Sequence, residues 1–186
     1  MSNPLLLWGI AAALLFWSVG AYNRLVRLRS DANEAFAAMA VELTRQADLV
    51  HASMPASMIH TGLTQPGELL DEVTQLWDGL RAAATQLTVS IAAMRPRPLQ
   101  PEAAAALCEA RDVLISAWIR VDQEASDLAG SSIPEALTRQ WQQLSAQSRS
   151  AGEHFNQAVG RYNAGISQFP ALLLAELFGF KRARGV

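Results

Sequence analysis

Charge is scarce in this chain. Only 17% of its 186 residues are Asp, Glu, Lys or Arg, against roughly 25% in an average soluble domain. With 51% hydrophobic residues, this excludes a disordered chain and suggests that part of it lies in lipid. Neither sign prevails. Fifteen basic residues against seventeen acidic ones leave a net charge of -2, so no basic excess marks a nucleic-acid binder. One cysteine, Cys108, excludes an intramolecular disulfide framework and a cysteine zinc site. One lysine, Lys181, and the lack of a glycine-rich loop exclude a phosphate-cradling nucleotide site. Glu-x-x-His, the ligand pattern of di-metal helical bundles, does not occur. Asp48-x-x-His51 is the near match, and His154 follows Glu153 directly, so those two diverge on a helix. The three histidines are too scattered for a catalytic triad, and Cys108 sits in an Ala-rich run as a small apolar group. The expectation is a non-enzyme with no cofactor and no metal.

The first charged side chain is Arg24. Before it, Leu5 to Ala21 reads LLLWGIAAALLFWSVGA, with Ser18 its one polar residue. Extended to Pro4 and Tyr22, this run spans close to the ~30 Å hydrocarbon layer at ~1.5 Å per residue. Trp8 and Trp17 suit the two membrane interfaces. Arg24, Arg27 and Arg29 follow at once. By the positive-inside rule the N-terminus lies outside and the rest lies in the cytoplasm of a bacterial cell, as a single-pass inner-membrane protein. The competing reading is a signal peptide cleaved after Val19-Gly20-Ala21, which would leave the rest in the periplasm. The missing basic start and a run longer than the usual core of roughly 7–15 residues favour the uncleaved anchor.

Strand signals are absent, and Ala, Leu, Gln, Glu and Arg dominate. Apolar residues recur every three or four positions in four segments. The first continues from the anchor through Leu25, Leu28, Ala32, Phe36, Met39, Leu43, Ala47, Val50 and Met54, and stops at Pro55. The second begins near Pro66 and carries Leu69, Val73, Leu76, Leu80, Ala83, Leu87, Ile91 and Met94, with Trp77 beside the stripe. The third starts at Pro101 and carries Leu107, Leu114, Trp118, Val121, Ala125 and Leu128, with Gly130 as its C-cap. The fourth opens on a capping-box pattern at Ser132-Ile133-Pro134-Glu135 and runs through Leu137, Trp141, Leu144, Ala151, Phe155, Ala158, Tyr162 and Ile166 to Phe169-Pro170. The fold expected is all-α. A transmembrane helix (1–23) continues into an antiparallel four-helix bundle (24–170), followed by a short amphipathic tail (171–186).

Antiparallel order returns the fourth helix to the end where the first enters. The tail, apolar up to Phe180, would then lie in the headgroup layer or plug the bundle end. The same geometry gathers Arg24, Arg27, Arg29, Arg95, Arg97, Lys181, Arg182 and Arg184 at that end. A basic end and an acidic rod suit an anionic cytoplasmic leaflet. Arg139, Arg149 and Arg161 alternate with Gln and Ser as a solvated face. The distal loop 55–65 offers Met58 and Ile59 to a partner or folds them onto the bundle tip. Trp77 and Trp141 serve either the core or a homo-oligomer.

Two motifs resemble the LemA family. The opening one is Tyr22-Asn23-Arg24-Leu25-Val26-Arg27-Leu28-Arg29, similar to the family's YNxLVxLR. It continues through Ala35-Phe36, Val41, Leu43, Arg45 and Asp48-Leu49-Val50. The closing one is Phe155-Asn156-Gln157-Ala158-Val159, then Arg161-Tyr162-Asn163, Ile166, Phe169-Pro170 and Leu177-Phe178-Gly179-Phe180-Lys181. The resemblance covers about 15–54 and 150–181. It departs where the basic pair before Asp48 is reduced to Arg45, with Gln46 and Ala47 in the next places, and where His51 to Pro55 shortens the helix. It implies a single-pass membrane protein with a cytoplasmic helical bundle and no established enzymatic activity. Tyr22-Asn23 and Tyr162-Asn163 then meet at one level, as a polar clasp holding the bundle on its anchor or as ordinary core tyrosines beside solvated asparagines. The function expected is a scaffold or recruitment platform with protein partners. The alternative is a signalling module coupled to the membrane.

Overall fold

The structure is a computed structural model and describes residues 4–53, 68–129, 133–169 and 171–186. The expected distal loop, Pro66, Gly130, Ser132 and Pro170 lie outside the described residues. All regular structure within them is helical: α1 Pro4–Ala52, α2 Glu68–Met94, α3 Pro101–Ala129, α4 Glu135–Ser167 and α5 Ala171–Phe178. The four long helices pack antiparallel.

α1 is one unbroken helix of 49 residues, about 74 Å long at 1.5 Å per residue. Among its described side chains the first buried one is Leu25. From there Ala32, Phe36, Met39, Leu43, Ala47 and Val50 turn inward at three- and four-residue intervals. They meet Trp141, Phe155, Ala158, Val159, Tyr162 and Ile166 of α4. Phe36 and Phe155 touch edge-on at 6.0 Å, the offset that ring quadrupoles favour. α2 and α3 form the second hairpin, through Trp77, Leu80, Leu87 and Ile91 on one side and Leu107, Leu114, Trp118 and Val121 on the other. The hairpins meet mainly where α1 faces α2. Trp118 and Trp141 close the ring between α3 and α4, stacked at 4.2 Å and nearly parallel. Trp77 and Trp141 are therefore buried in the core cluster.

Gln46 lies inside this core, only 2% exposed. Its Nε2 donates to Ser145 Oγ at 3.0 Å, and Ser148 Oγ donates to its Oε1 at 3.3 Å. A carboxamide fits there because its donor and its acceptor both find partners on α4.

Two local expectations change. The N-cap of α4 is Pro134, with no side-chain capping bond, so Glu135 opens the helix and pairs with Arg139 at 3.6 Å. Ser132, the first member of the expected box, lies outside the described residues. The tail is also not one amphipathic helix. α5 ends at Phe178, Gly179 takes φ +71°, and Phe180 N–H donates to the Ala175 carbonyl at 2.8 Å. This is a Schellman stop, which needs a left-handed residue after the helix. Residues 180–186 then run without regular structure.

Candidate functional site

The chemistry of the molecule collects where α1 enters the bundle and α4 leaves it. Before Leu25 the described large apolar residues of α1 face outward, among them Trp8, Leu15, Phe16 (84% exposed), Trp17 and Val19. α5 repeats this inversion. Its small residues Ala171 and Ala175 are buried against the bundle, while Leu172, Leu173, Leu177 (76% exposed) and Phe178 point away. Phe169 is exposed too and leans on Trp17 at 5.7 Å. An apolar notch of about 360 Å3, lined by Phe16, Trp17, Gly20, Gly165 and Ala171, lies between these elements. Arg24 borders it and reaches Gln168 Oε1 at 3.4 Å. At Gly165 an added Cβ would come within 2.6 Å of Leu28 Cδ1, the end of a half-buried side chain that would have to move aside.

Past Gly179 the chain is held by its main chain. Asn163 Nδ2 donates to the Ala183 carbonyl at 2.8 Å, and its Oδ1 accepts from Ala183 N–H at 2.9 Å. Seven residues earlier on α4, Asn156 does the same for Val186, donating to its main-chain oxygen at 2.6 Å and accepting from its N–H at 2.8 Å. Tyr162 O–H donates to the Lys181 carbonyl at 3.0 Å, and Arg182 reaches Ser167 Oγ at 3.2 Å. Ala183 is buried, whereas Lys181, Arg182 and Arg184 face solvent. The tail is thus fixed by its backbone, with its cations facing outward.

This differs from the clasp expected between Tyr22-Asn23 and Tyr162-Asn163. Asn23 is exposed, and Asn163 spends its amide on the tail. Tyr22 meets Phe178 at 5.1 Å and Phe180 at 6.2 Å. The two tyrosines are therefore linked through the tail, which passes from the Tyr22 ring to the Tyr162 hydroxyl. Burial raises the Tyr162 pKa above its ordinary 10.0, with the Arg29 charge pulling the other way. Asn156 was quoted in a motif without a role. Its visible signal was the seven-residue spacing from Asn163, which puts both on one helix face. Gly179 and Phe180 mark the stop and the start of the held segment.

The remaining expected site residues are exposed. They are Arg27 and Arg29 on α1, and Arg95 and Arg97 in the α2–α3 turn. A second open feature is a groove of about 1250 Å3 between α2 and α3, lined by Leu76, Gly79, Ala105, Ala117 and Cys108. Cys108 is half-buried at its edge rather than enclosed. Among the described residues, no cluster of His, Cys, Asp and Glu is grouped to hold a metal. Among them, also, no helix is long and apolar enough to cross a membrane.

Fold and site together define a class: an all-α antiparallel bundle whose C-terminal segment is bound back onto its last long helix. The model of the LemA family matches residues 35–185, and the chain belongs to that family. No curated protein and no solved structure matches it.

Proposed function

We propose that this LemA-family bundle is a non-enzymatic platform, anchored by the first third of α1 and recruiting proteins at the cytoplasmic face of a bacterial membrane. One observation carries the anchoring: the described apolar side chains of α5 are arranged inside out for a helix in water. The helix buries two alanines and exposes Leu172, Leu173, Leu177 and Phe178. Burying those side chains is favourable by about 1.5–3 kcal/mol each, and the bundle does not take that gain. A bilayer interface would, as for other surface-lying helices. The exposed face of α1 before Leu25 supports the same reading. Arg24, Arg27, Arg29, Lys181, Arg182 and Arg184 stand nearby for anionic headgroups, each contributing about 1 kcal/mol.

The tryptophans supply the test. Trp8 and Trp17 lie on the exposed segment, whereas Trp77, Trp118 and Trp141 are buried in the bundle. In vesicles of brominated phosphatidylglycerol, quenching is expected to fall on Trp8 and Trp17 alone and to vanish in the W8F/W17F protein. Quenching that survives in that protein would refute the placement. Alkaline phosphatase fused after Val186 should be inactive in cells, and activity there would move the bundle to the periplasm. The continuous α1 also suits a second reading, a regulatory module that passes a membrane change into the bundle. It predicts that inserting one residue between Tyr22 and Leu25 alters function without loss of stability.

A further inference from the structure

The clamp has the form of a peptide-binding site. Each asparagine presents a donor and an acceptor to one residue's own main-chain oxygen and N–H, so it reads backbone and ignores the side chain. The two sit seven residues apart on α4, about 10.5 Å along the axis. Their targets, Ala183 and Val186, are three residues apart. A threefold extended chain turns the same side to a helix every three residues, over about 9 Å, and has no internal hydrogen bonds. The spacing of the clamps and the period of such a chain therefore agree.

Two steric conditions add selectivity. Ala183 is buried in the core cluster, so a small side chain is required there. A Cβ on Gly185 would run into the clamping Asn156 carboxamide, so glycine is required one residue before the second clamp. The site thus takes an extended segment of the form small-x-Gly-x. In the chain this is Ala183-Arg184-Gly185-Val186.

We propose that this face of α4 is a main-chain-reading peptide groove, filled here by the chain's own tail, and that its exchange partner is the tail of a second copy. Among the described residues, the form recurs at Ser18–Ala21, Ser150–Glu153 and Ala158–Arg161, all within helices, so the tail is the segment that offers it extended, and every copy carries it. The hinge is in place: Gly179, at φ +71°, is where the tail departs from α5, and hinge loops are where identical elements swap between protomers. In cis the tail competes at an effective concentration on the order of millimolar. The intact chain therefore keeps its groove closed until the tail is drawn off.

Two full-length variants in detergent test this. A183W/G185V keeps the groove and carries a tail that cannot enter it. N156A/N163A keeps the tail and lacks the clamps. Each alone should be monomeric, with the tail amides exchanging freely. Mixed, they should form a 1:1 dimer by light scattering, and excess synthetic Lys181–Val186 peptide should dissociate it. The fluorescein-labelled peptide should bind A183W/G185V at least about tenfold more tightly than either the intact chain or the quadruple variant, in line with removal of the cis competitor. Failure of the labelled peptide to bind A183W/G185V would refute the groove. So would slow tail exchange in that variant. Peptide binding without mixed dimer would refute the second copy as partner. All of these readings are independent of lipid, so they stand or fall apart from membrane placement.

Discussion

Removing Asn163 tests the central feature most directly. Asn163→Ala deletes one donor and one acceptor to Ala183, at 2.8 and 2.9 Å. A buried or half-buried hydrogen bond is worth about 0.5–1.5 kcal/mol net, so the two together hold the tail by about 1–3 kcal/mol. The four long helices are held by their own apolar core rather than by these bonds. The loss should therefore appear as local opening, with global unfolding little changed. Opening of the tail should rise by roughly 5- to 150-fold. Hydrogen exchange at the Ala183 amide reads this directly, with amides of α1 and α4 near Phe36 and Phe155 as internal references. Asn156→Ala should produce a smaller rise at Val186, because Asn156 is exposed and Asn163 half-buried, and water replaces an exposed bond more readily. Asn163→Asp keeps the acceptor and sets a second oxygen against the Ala183 carbonyl, so it should open the tail at least as far as alanine does. Unchanged Ala183 exchange in Asn163→Ala would refute the clamp. A larger effect at Asn156 than at Asn163 would refute the burial argument.

Other substitutions probe the packing and the buried polar groups. Gly160 has open space where a Cβ would go, so Gly160→Ala should stabilise by about 1 kcal/mol through helix propensity. Gly165→Ala gains the same but forces Leu28 aside, at an overpacking cost of about 1–3 kcal/mol. It should be neutral to destabilising, and a midpoint equal to that of Gly160→Ala in chemical denaturation would contradict the close approach. Tyr162 has a raised pKa in the folded chain. Between the ordinary 10.0 and that higher value, the unfolded chain has lost the proton and the folded chain still holds it. Stability should be full below pH 10 and fall as pH rises through that window, and Tyr162→Phe should remove that part of the alkaline loss in thermal melts. Gln46→Glu puts a carboxylate where the amide bridges Ser145 and Ser148. It should destabilise by about 3 kcal/mol at neutral pH and recover as acid protonates it, and equal stability at both pH values would refute the burial.

Periodicity made the helices legible, because a core stripe repeats every three or four residues whatever the neighbours are. The stripes of α1 and α4 reappear almost residue for residue in the core, from Leu25 to Val50 and from Trp141 to Ile166. Gln46 escaped because it breaks the apolar pattern, and a buried amide shows itself only once Ser145 and Ser148 are seen across from it. The short helix near the C-terminus was legible too, but not its facing, because hydropathy cannot say which residues of a short helix turn inward. Here the alanines do. Asn156 and Asn163 carried a spacing signal, yet a clamp is visible only with its target, and the target lies 20 to 30 residues later in the chain.

The inverted α5 and the clamp explain each other. An eight-residue helix is too short to persist alone, since isolated helices shorter than about 12–15 residues are marginal in water. Among its described side chains α5 buries Ala171 and Ala175, and methyl groups contribute little. What holds it must come from its ends. At one end it is tied to α4, through Leu172 N–H to the Gln168 carbonyl. At the other, the Schellman turn at Gly179 leads into four asparagine bonds and the Tyr162 hydroxyl. Those bonds spend no apolar surface. They leave Leu172, Leu173 and Leu177 free on the outer face, with Phe178 partly exposed beside Tyr22. A chain that had to hold α5 by hydrophobic burial would have to turn those side chains inward, and would lose the surface that faces away from the bundle.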